Sequence, residues 1–198
     1  GQQVLDAEGQ GLAAREHLTI SIQEYLDGEQ HSDIRHEYLA GQVYAMAGAG
    51  RTHNLIAGNT FSQLRAAIRG TPCQVFMADM KVRVDANNAF YYPDVVVTCQ
   101  AGDSDEYSLN APCLIVEVLS PATEAIDRRE KLIAYRTLPS LRYYLLVSQE
   151  KRLIECYTRD TDNRWLITVI ENNGSLEILC NGLKASFSLD DIYEDVRL

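Results

Sequence analysis

Two apolar runs, each holding one isolated carboxylate, constrain this chain more than any other feature. Tyr91-Tyr92-Pro93-Asp94-Val95-Val96-Val97 comes first, and Leu114-Ile115-Val116-Glu117-Val118-Leu119 follows after a short loop. Both are rich in β-branched residues and read as buried strands. A buried carboxylate without a partner is costly to keep charged. Two of them on strands close in sequence point to a shared partner, and a divalent metal ion suits paired carboxylates.

The surroundings of each acid sharpen this expectation. Pro93 cannot donate to a sheet ladder, so the Tyr-Pro-Asp step falls near a strand start or a distorted edge. Glu117 lies near the end of its run, just before Ser120-Pro121, and strand ends beside a bend are where a site opens to solvent. Glu117 reads equally as a structural acid paired with an arginine. The helix that follows carries Asp127, Lys131 and Tyr135 at successive i, i+4 positions, on one face. The plain reading of Asp127 and Lys131 is a solvated ion pair worth a few tenths of a kcal/mol. The functional alternative has Lys131 leaning over the two strand ends, to orient a nucleophilic water or steady a phosphate.

At 198 residues the chain has room for one well-buried domain. Residues 1–18, rich in Gln, Gly and Ala, read as a loose N-terminal arm, and 19–198 as the domain. Thr19 or Ser21 caps a short helix, and His36 to Met46 forms two strands turning at Ala40-Gly41. Thr52 to Arg69 is a helix with Ala57, Phe61, Leu64 and Ile68 as its apolar stripe, stopped by Gly70-Thr71-Pro72. Gln74–Ala78, Lys81–Asp85, Phe90–Thr98 and Cys113–Leu119 read as strands, and Ala122 to Thr137 as a helix. Leu141–Val147 is a buried strand, and a hairpin crosses Asp160-Thr161-Asp162-Asn163. A strand at Leu176–Leu179 then precedes an acidic tail. This order defines a mixed α/β single domain.

The net charge of −10 argues against a polyanion until its distribution is examined. Residues 1–33 hold seven acids and one base, and residues 190–198 hold four acids and one base. The body between them, with 17 acids and 16 bases, is nearly neutral and contains Arg51, Arg65, Arg69, Lys81, Arg83, Arg128, Arg129 and Lys131. The composition therefore permits a polyanionic substrate. The five cysteines stand singly, with no CxxC pair, and read as buried thiols in a reducing compartment. With no signal-peptide pattern and no run of membrane-spanning length, the expectation is a cytoplasmic protein without a membrane partner.

The ordered set Pro93-Asp94, Glu117-Val118-Leu119-Ser120-Pro121, Asp127, Lys131, Tyr135 and Arg142-Tyr143-Tyr144-Leu145-Leu146-Val147 resembles the Uma2 (DUF820) family. Glu37 before Ala40-Gly41, and His53 at the start of the first long helix, extend the resemblance over about residues 20–190. The family is one of endonucleases in the restriction-endonuclease-like PD-(D/E)xK superfamily. The resemblance implies a core mixed sheet flanked by helices, and Mg²⁺- or Mn²⁺-dependent cleavage of a nucleic-acid phosphodiester, with DNA the expected substrate. It implies Asp94 and Glu117 as metal ligands, joined by the main-chain carbonyl of Val118. Glu37 becomes a further catalytic acid, and His53 a substrate-side contact. The superfamily's lysine should fall at position 119, which is Leu119 here; Lys131 is the matching cation, with Lys81 a weaker, substrate-binding substitute. A migrated lysine serves if its ammonium reaches the same point in space.

Without the family, His53 reads as a partner for a backbone group or a nearby acid, and Glu37 as an exposed strand acid. The Asp103, Asp105, Glu106, Tyr107 loop reads as solvated, and Tyr143-Tyr144 and Trp165 as packing residues. Two alternatives to an endonuclease remain. One is a catalytically weak or inactive interaction protein on the same fold, favoured by Leu119 and the acidic composition. The other is a metal-dependent phosphodiesterase acting on a small nucleotide. A homodimer is expected of an enzyme that cuts both strands.

Overall fold

The computed structural model describes residues 19–198. The expected N-terminal arm, residues 1–18, lies outside the described residues. In chain order the elements are α1 (Ile22–His31), β1 (His36–Leu39), β2 (Gln42–Ala45), α2 (Arg51–Ala67), β3 (Gln74–Met77), β4 (Lys81–Val84), β5 (Ala89–Tyr91), β6 (Val95–Thr98), β7 (Ser108–Leu109) and β8 (Pro112–Val118). There follow α3 (Glu124–Ile126), a π-helical segment (Asp127–Lys131), α4 (Leu132–Arg136), β9 (Tyr143–Val147), β10 (Leu153–Arg159), β11 (Trp165–Glu171), β12 (Ser175–Cys180), β13 (Leu183–Ser188) and α5 (Leu189–Ile192).

The central sheet runs β11-β10-β9-β8-β6-β3, antiparallel except for the parallel pair β8 and β9. Strand alternation divides its side chains between two cores. Val95, Val97, Leu114, Val116 and Val118 face a core built with Ile56 and Leu64 of α2, Ile178 and Phe187 of the β12–β13 hairpin, and Ile192 of α5. Val96, Ile115, Tyr144 and Leu146 face a second core with Ala134 and Tyr135 of α4, and with Val82, Val84 and Tyr91 of β4 and β5. By the same alternation Glu117, two residues after Ile115, projects on the second face. The second sheet runs β2-β1-β5-β4-β7 and covers that face.

Where sequence and structure differ, the causes are local. The run Phe90–Thr98 is not one strand: β5 belongs to one sheet, β6 to the other, and Tyr92-Pro93-Asp94 is the crossing between them. Proline, with no N–H to give either ladder, sits where the chain leaves both. The acidic tail contains β13 and α5. Ser188 Oγ accepts from the Asp191 N–H while Asp191 Oδ2 accepts from the Ser188 N–H, so these acids start a helix. The Asp103–Tyr107 loop is stapled: Asp103 accepts from the amides of Asn110 and Ala111, and Asp105 from those of Tyr107 and Ser108. The β1–β2 turn falls at Ala40-Gly41, both at positive φ (48° and 87°). There a Cβ on Gly41 would come within 2.8 Å of the Thr19 side chain.

The cysteine expectation is overturned. Cys73 bonds to Cys99 and Cys113 to Cys180; only Cys156 is free, and it is buried. The β3–β6 register, Gln74 opposite Thr98, sets Cys73 across from Cys99 with Cα atoms 4.0 Å apart, a relation that their separate positions in sequence conceal. The inference of a reducing compartment from free thiols therefore loses its basis. Among the described residues, no helix is long and apolar enough to cross a membrane.

Candidate active site

The crossing at Pro93 delivers Asp94 to the end of β8. Asp94 Oδ2 accepts from the Val118 N–H at 2.7 Å, and Oδ1 lies 3.2 Å from His53 Nε2. That contact ties the first turn of α2 to the sheet, and the hydrogen bond to Asp94 raises the His53 pKa against the opposing effect of burial.

Glu117 enters from β8, and the helix over 124–136 supplies the groups facing it. Its π-helical segment, Asp127–Lys131, begins and ends on the two charged residues of the site. Such widened turns recur at functional sites. Glu117, Asp127 and Lys131 are only 4%, 1% and 4% exposed. Lys131 Nζ lies 3.1 and 3.2 Å from the two carboxylate oxygens of Glu37, and 3.5 Å from Asp127 Oδ1. Glu37 comes from β1 and also accepts the Tyr92 N–H at 2.8 Å, so the second sheet is fastened to the crossing beside Asp94.

The electrostatics are lopsided. Burial pushes Glu117 well above the ordinary carboxylate range; Lys131 opposes this, while Asp127, Asp94 and Glu37 reinforce it. Burial likewise lifts Asp127 to about 6 against the pull of Lys131. Burial disfavours the Lys131 charge, but Glu117, Glu37 and Asp127 outweigh it and hold the ammonium protonated. Glu117 Oε1, Asp127 Oδ1 and the Tyr135 hydroxyl are buried without a hydrogen-bond partner. Glu37, Glu117 and Asp127 thus act on one lysine, with Asp94 acting on Glu117 and two of the carboxylate oxygens without a hydrogen bond. That donor set suits a hard divalent cation with oxygen ligands. Among the described residues, no group of three or more His, Cys, Asp or Glu side chains is arranged to hold a metal ion.

The structure therefore brings Asp94, Glu117, Lys131, Glu37 and His53 together, and the Val118 amide with them. Lys81 is elsewhere: its Nζ lies 5.3 Å from the Tyr92 ring centroid and 5.8 Å from that of Tyr107, and burial lowers its pKa. Leu119 packs in the second core. Asp127 corrects the plain reading of a solvated ion pair. A signal for its burial existed: Asp127, Lys131, Ala134, Tyr135 and Leu138 recur at helical spacing, so the pair continues the apolar stripe. Glu29 was missed altogether. From α1 it accepts the Tyr92 hydroxyl at 2.7 Å and the His36 N–H at 3.0 Å, bracing the crossing from behind.

A mixed sheet flanked by helices, with buried acids where two strands end, is the restriction-endonuclease-like α/β arrangement expected from the sequence. A crystal structure from Anabaena variabilis, described as "a putative nuclease belonging to DUF820", shares the fold with a TM-score of 0.65. The likeness covers 82% of this chain and 91% of that one at 13% identity. Residues 22–191 match the model of the Uma2 family, described as "Putative restriction endonuclease", and the chain belongs to that family. Two Synechocystis proteins are similar along nearly their whole length. "Uncharacterized protein slr1290" is 37% identical over 88% of this chain and 91% of its own, and "Uncharacterized protein sll1609" is 30% identical over 80% and 92%.

Proposed function

We propose that this protein is a metal-dependent endonuclease that hydrolyses nucleic-acid phosphodiester bonds at a PD-(D/E)xK-type site. The observation that carries the reading is the excess of carboxylates around Lys131, with Glu117 Oε1 buried without a hydrogen bond and Asp127 Oδ1 meeting only the Lys131 ammonium at 3.5 Å. A buried charge persists only where it is paired or coordinated, and one ammonium cannot pair with all of these acids. The family's description and that of the Anabaena protein point the same way.

Asp94 and Glu117, with the main-chain carbonyl of Val118, would hold Mg²⁺ or Mn²⁺. When bound, such an ion supplies Lewis acidity toward the phosphate and lowers the pKa of water. Lys131, protonated and held between Glu37 and Asp127, presents a positive charge to a nucleophile or a phosphoryl oxygen. Glu37 holds that ammonium in place and anchors the crossing through the Tyr92 N–H. His53 keeps Asp94 oriented and stands at the substrate side, on the first turn of α2. DNA is the substrate proposed first, and a homodimer the working assembly.

A second reading, a non-catalytic interaction module, draws on the edge strand β11, where Leu166, Ile167 and Val169 are exposed. Calorimetric titration of Mg²⁺ and Mn²⁺ into wild type and Asp94→Ala, with cleavage assays on DNA, RNA and a small diester, separates the two. The nuclease reading expects ion binding and cutting to disappear together in the variant. Ion binding with no cleavage of any substrate favours the interaction module. Faster turnover of the small diester than of DNA reassigns the site to a nucleotide phosphodiesterase.

A further inference from the structure

Glu37 has a cross-strand neighbour that the site does not yet use. In the antiparallel β1–β2 pair, Glu37 stands opposite Tyr44. Residues directly opposite in such a pair lie on the same face, with Cβ atoms about 5 Å apart. Leu39, two residues on from Glu37 and on the same face, packs into the second core, which fixes the direction that face looks. Tyr44 therefore stands beside the carboxylate that holds Lys131 at 3.1 Å, yet it is 55% exposed. The other tyrosines around the site, Tyr91, Tyr92, Tyr135 and Tyr144, are all buried. Tyr107, also exposed, already meets Lys81. The Tyr44 ring stacks on no other aromatic ring among the described residues.

The short connection after β2 leads straight to the site from the other side. Met46-Ala47-Gly48-Ala49-Gly50 joins Tyr44's strand to α2, whose third residue, His53, contacts Asp94. That helix begins without a side-chain cap and without an acid in its first turn, and its first residue is Arg51. The strip of surface between Tyr44 and His53 is thus free of acids along the chain and carries a base. An exposed aromatic face next to a phosphodiester-cleaving centre, on a strip that tolerates a polyanion, matches one kind of occupant. That occupant is a nucleobase lying next to the scissile phosphate.

We propose that Tyr44 is a stacking platform for an unpaired nucleobase of the substrate, giving the site a preference for single-stranded or locally unpaired nucleic acid. A base within a duplex has both faces occupied by its neighbours and must be unstacked before it meets a tyrosine ring, whereas a single strand offers its bases directly. The inference rests on the endonuclease reading and adds to it the form of the substrate. Because stacking uses a π-face that every base has, Tyr44 confers little base specificity.

The test is equilibrium binding of fluorescein-labelled single-stranded and duplex oligonucleotides of one sequence, with Ca²⁺ in place of Mg²⁺ to suppress cutting. Wild type is expected to favour the single strand. Tyr44→Ala should weaken single-strand binding about tenfold and leave duplex binding within about twofold. Tyr44→Phe, which keeps the ring, should bind as wild type does. In Tyr44→Trp, indole fluorescence above the Trp165 background should be quenched as the single strand is added. Thermal melting of each variant separates lost stacking from lost fold, because an exposed side chain leaves the midpoint nearly unchanged. Wild type that binds nucleic acid while Tyr44→Ala binds both forms equally well, or Tyr44→Trp with no quenching, overturns the stacking role alone. Wild type that binds neither form counts against the endonuclease reading itself.

Discussion

The two faces of strand β8 use the same backbone for opposite purposes. Leu114, Val116 and Val118 point into a core built with Ile56 and Leu64 of α2, Ile178 and Phe187 of the β12–β13 hairpin and Ile192 of α5, and the Cys113–Cys180 bridge pins the hairpin to the strand. Ile115 and Glu117 point the other way, and within two residues the environment changes from hydrocarbon to a buried group of charges. The first face is what a chain does to stay folded. The second is costly for the same goal, since buried ion pairs seldom outperform hydrophobic residues of similar volume and orphaned carboxylates are worse. A face that carries Glu117, Asp127 and Lys131 at such cost is the one on which the proposed site is drawn. The comparison predicts that substitutions on the two faces trade activity against stability in opposite directions.

The largest effect should come from the charged face. Glu117→Gln is expected to lower metal-dependent cleavage on the order of a thousandfold. Urea unfolding of the metal-free variant should show stability equal to or above wild type, since the cost of keeping an ionisable carboxyl buried is gone. Cleavage that survives the change would remove Glu117 from the site. Lower stability with unchanged cleavage would make it the structural acid that the sequence equally allowed.

On the apolar face the order reverses. Replacing Cys113 and Cys180 with serine opens a loop spanning 67 residues of chain. That should cost about 4 kcal/mol of stability by the loop-entropy argument, with metal affinity unchanged. Leu114→Ala, at a fully buried position on the same face, should cost about 3 kcal/mol. Chemical denaturation paired with metal titration reads both. A loss of metal affinity in either variant, measured where the protein is still folded, would show that the two faces are not independent.

Much of this division is legible in the amino-acid sequence. The helices, the buried strands and the isolation of Asp94 and Glu117 followed from periodicity and from what a carboxylate needs when buried. The parts that escaped are those fixed by partners distant in sequence. Pro93 showed that a ladder must break, but not that the chain changes sheets there. The disulfides depend on strand register and on the docking of the β12–β13 hairpin, neither of which single cysteines reveal. Asp127 and Lys131 have the same i, i+4 spacing whether solvated or buried. Only the surface under the helix decides, and that surface is Glu117, ten positions before Asp127, and Glu37, 94 positions before Lys131.

The smallest predicted effect isolates Asp127, the residue on which sequence and structure differ most. Its folded pKa of about 6 lies above the ordinary value of 3.8, so the folded state binds this proton more tightly than the unfolded chain does. The stability it contributes is therefore complete below about pH 4 and is lost as pH rises to about 6, with no further change beyond. Most carboxylates that are hydrogen-bonded in a folded protein give the opposite slope, so the signal must be read as a difference. In metal-free protein, urea unfolding from pH 4 to 7 should show wild type losing stability relative to Asp127→Asn across that window. The two should run parallel above it. A solvated Asp127 paired to Lys131 would have a depressed pKa, and the variant would then lose stability relative to wild type as pH rises. The sign of one difference curve thus decides whether this ion pair belongs to the surface of the helix or to the charged face of β8.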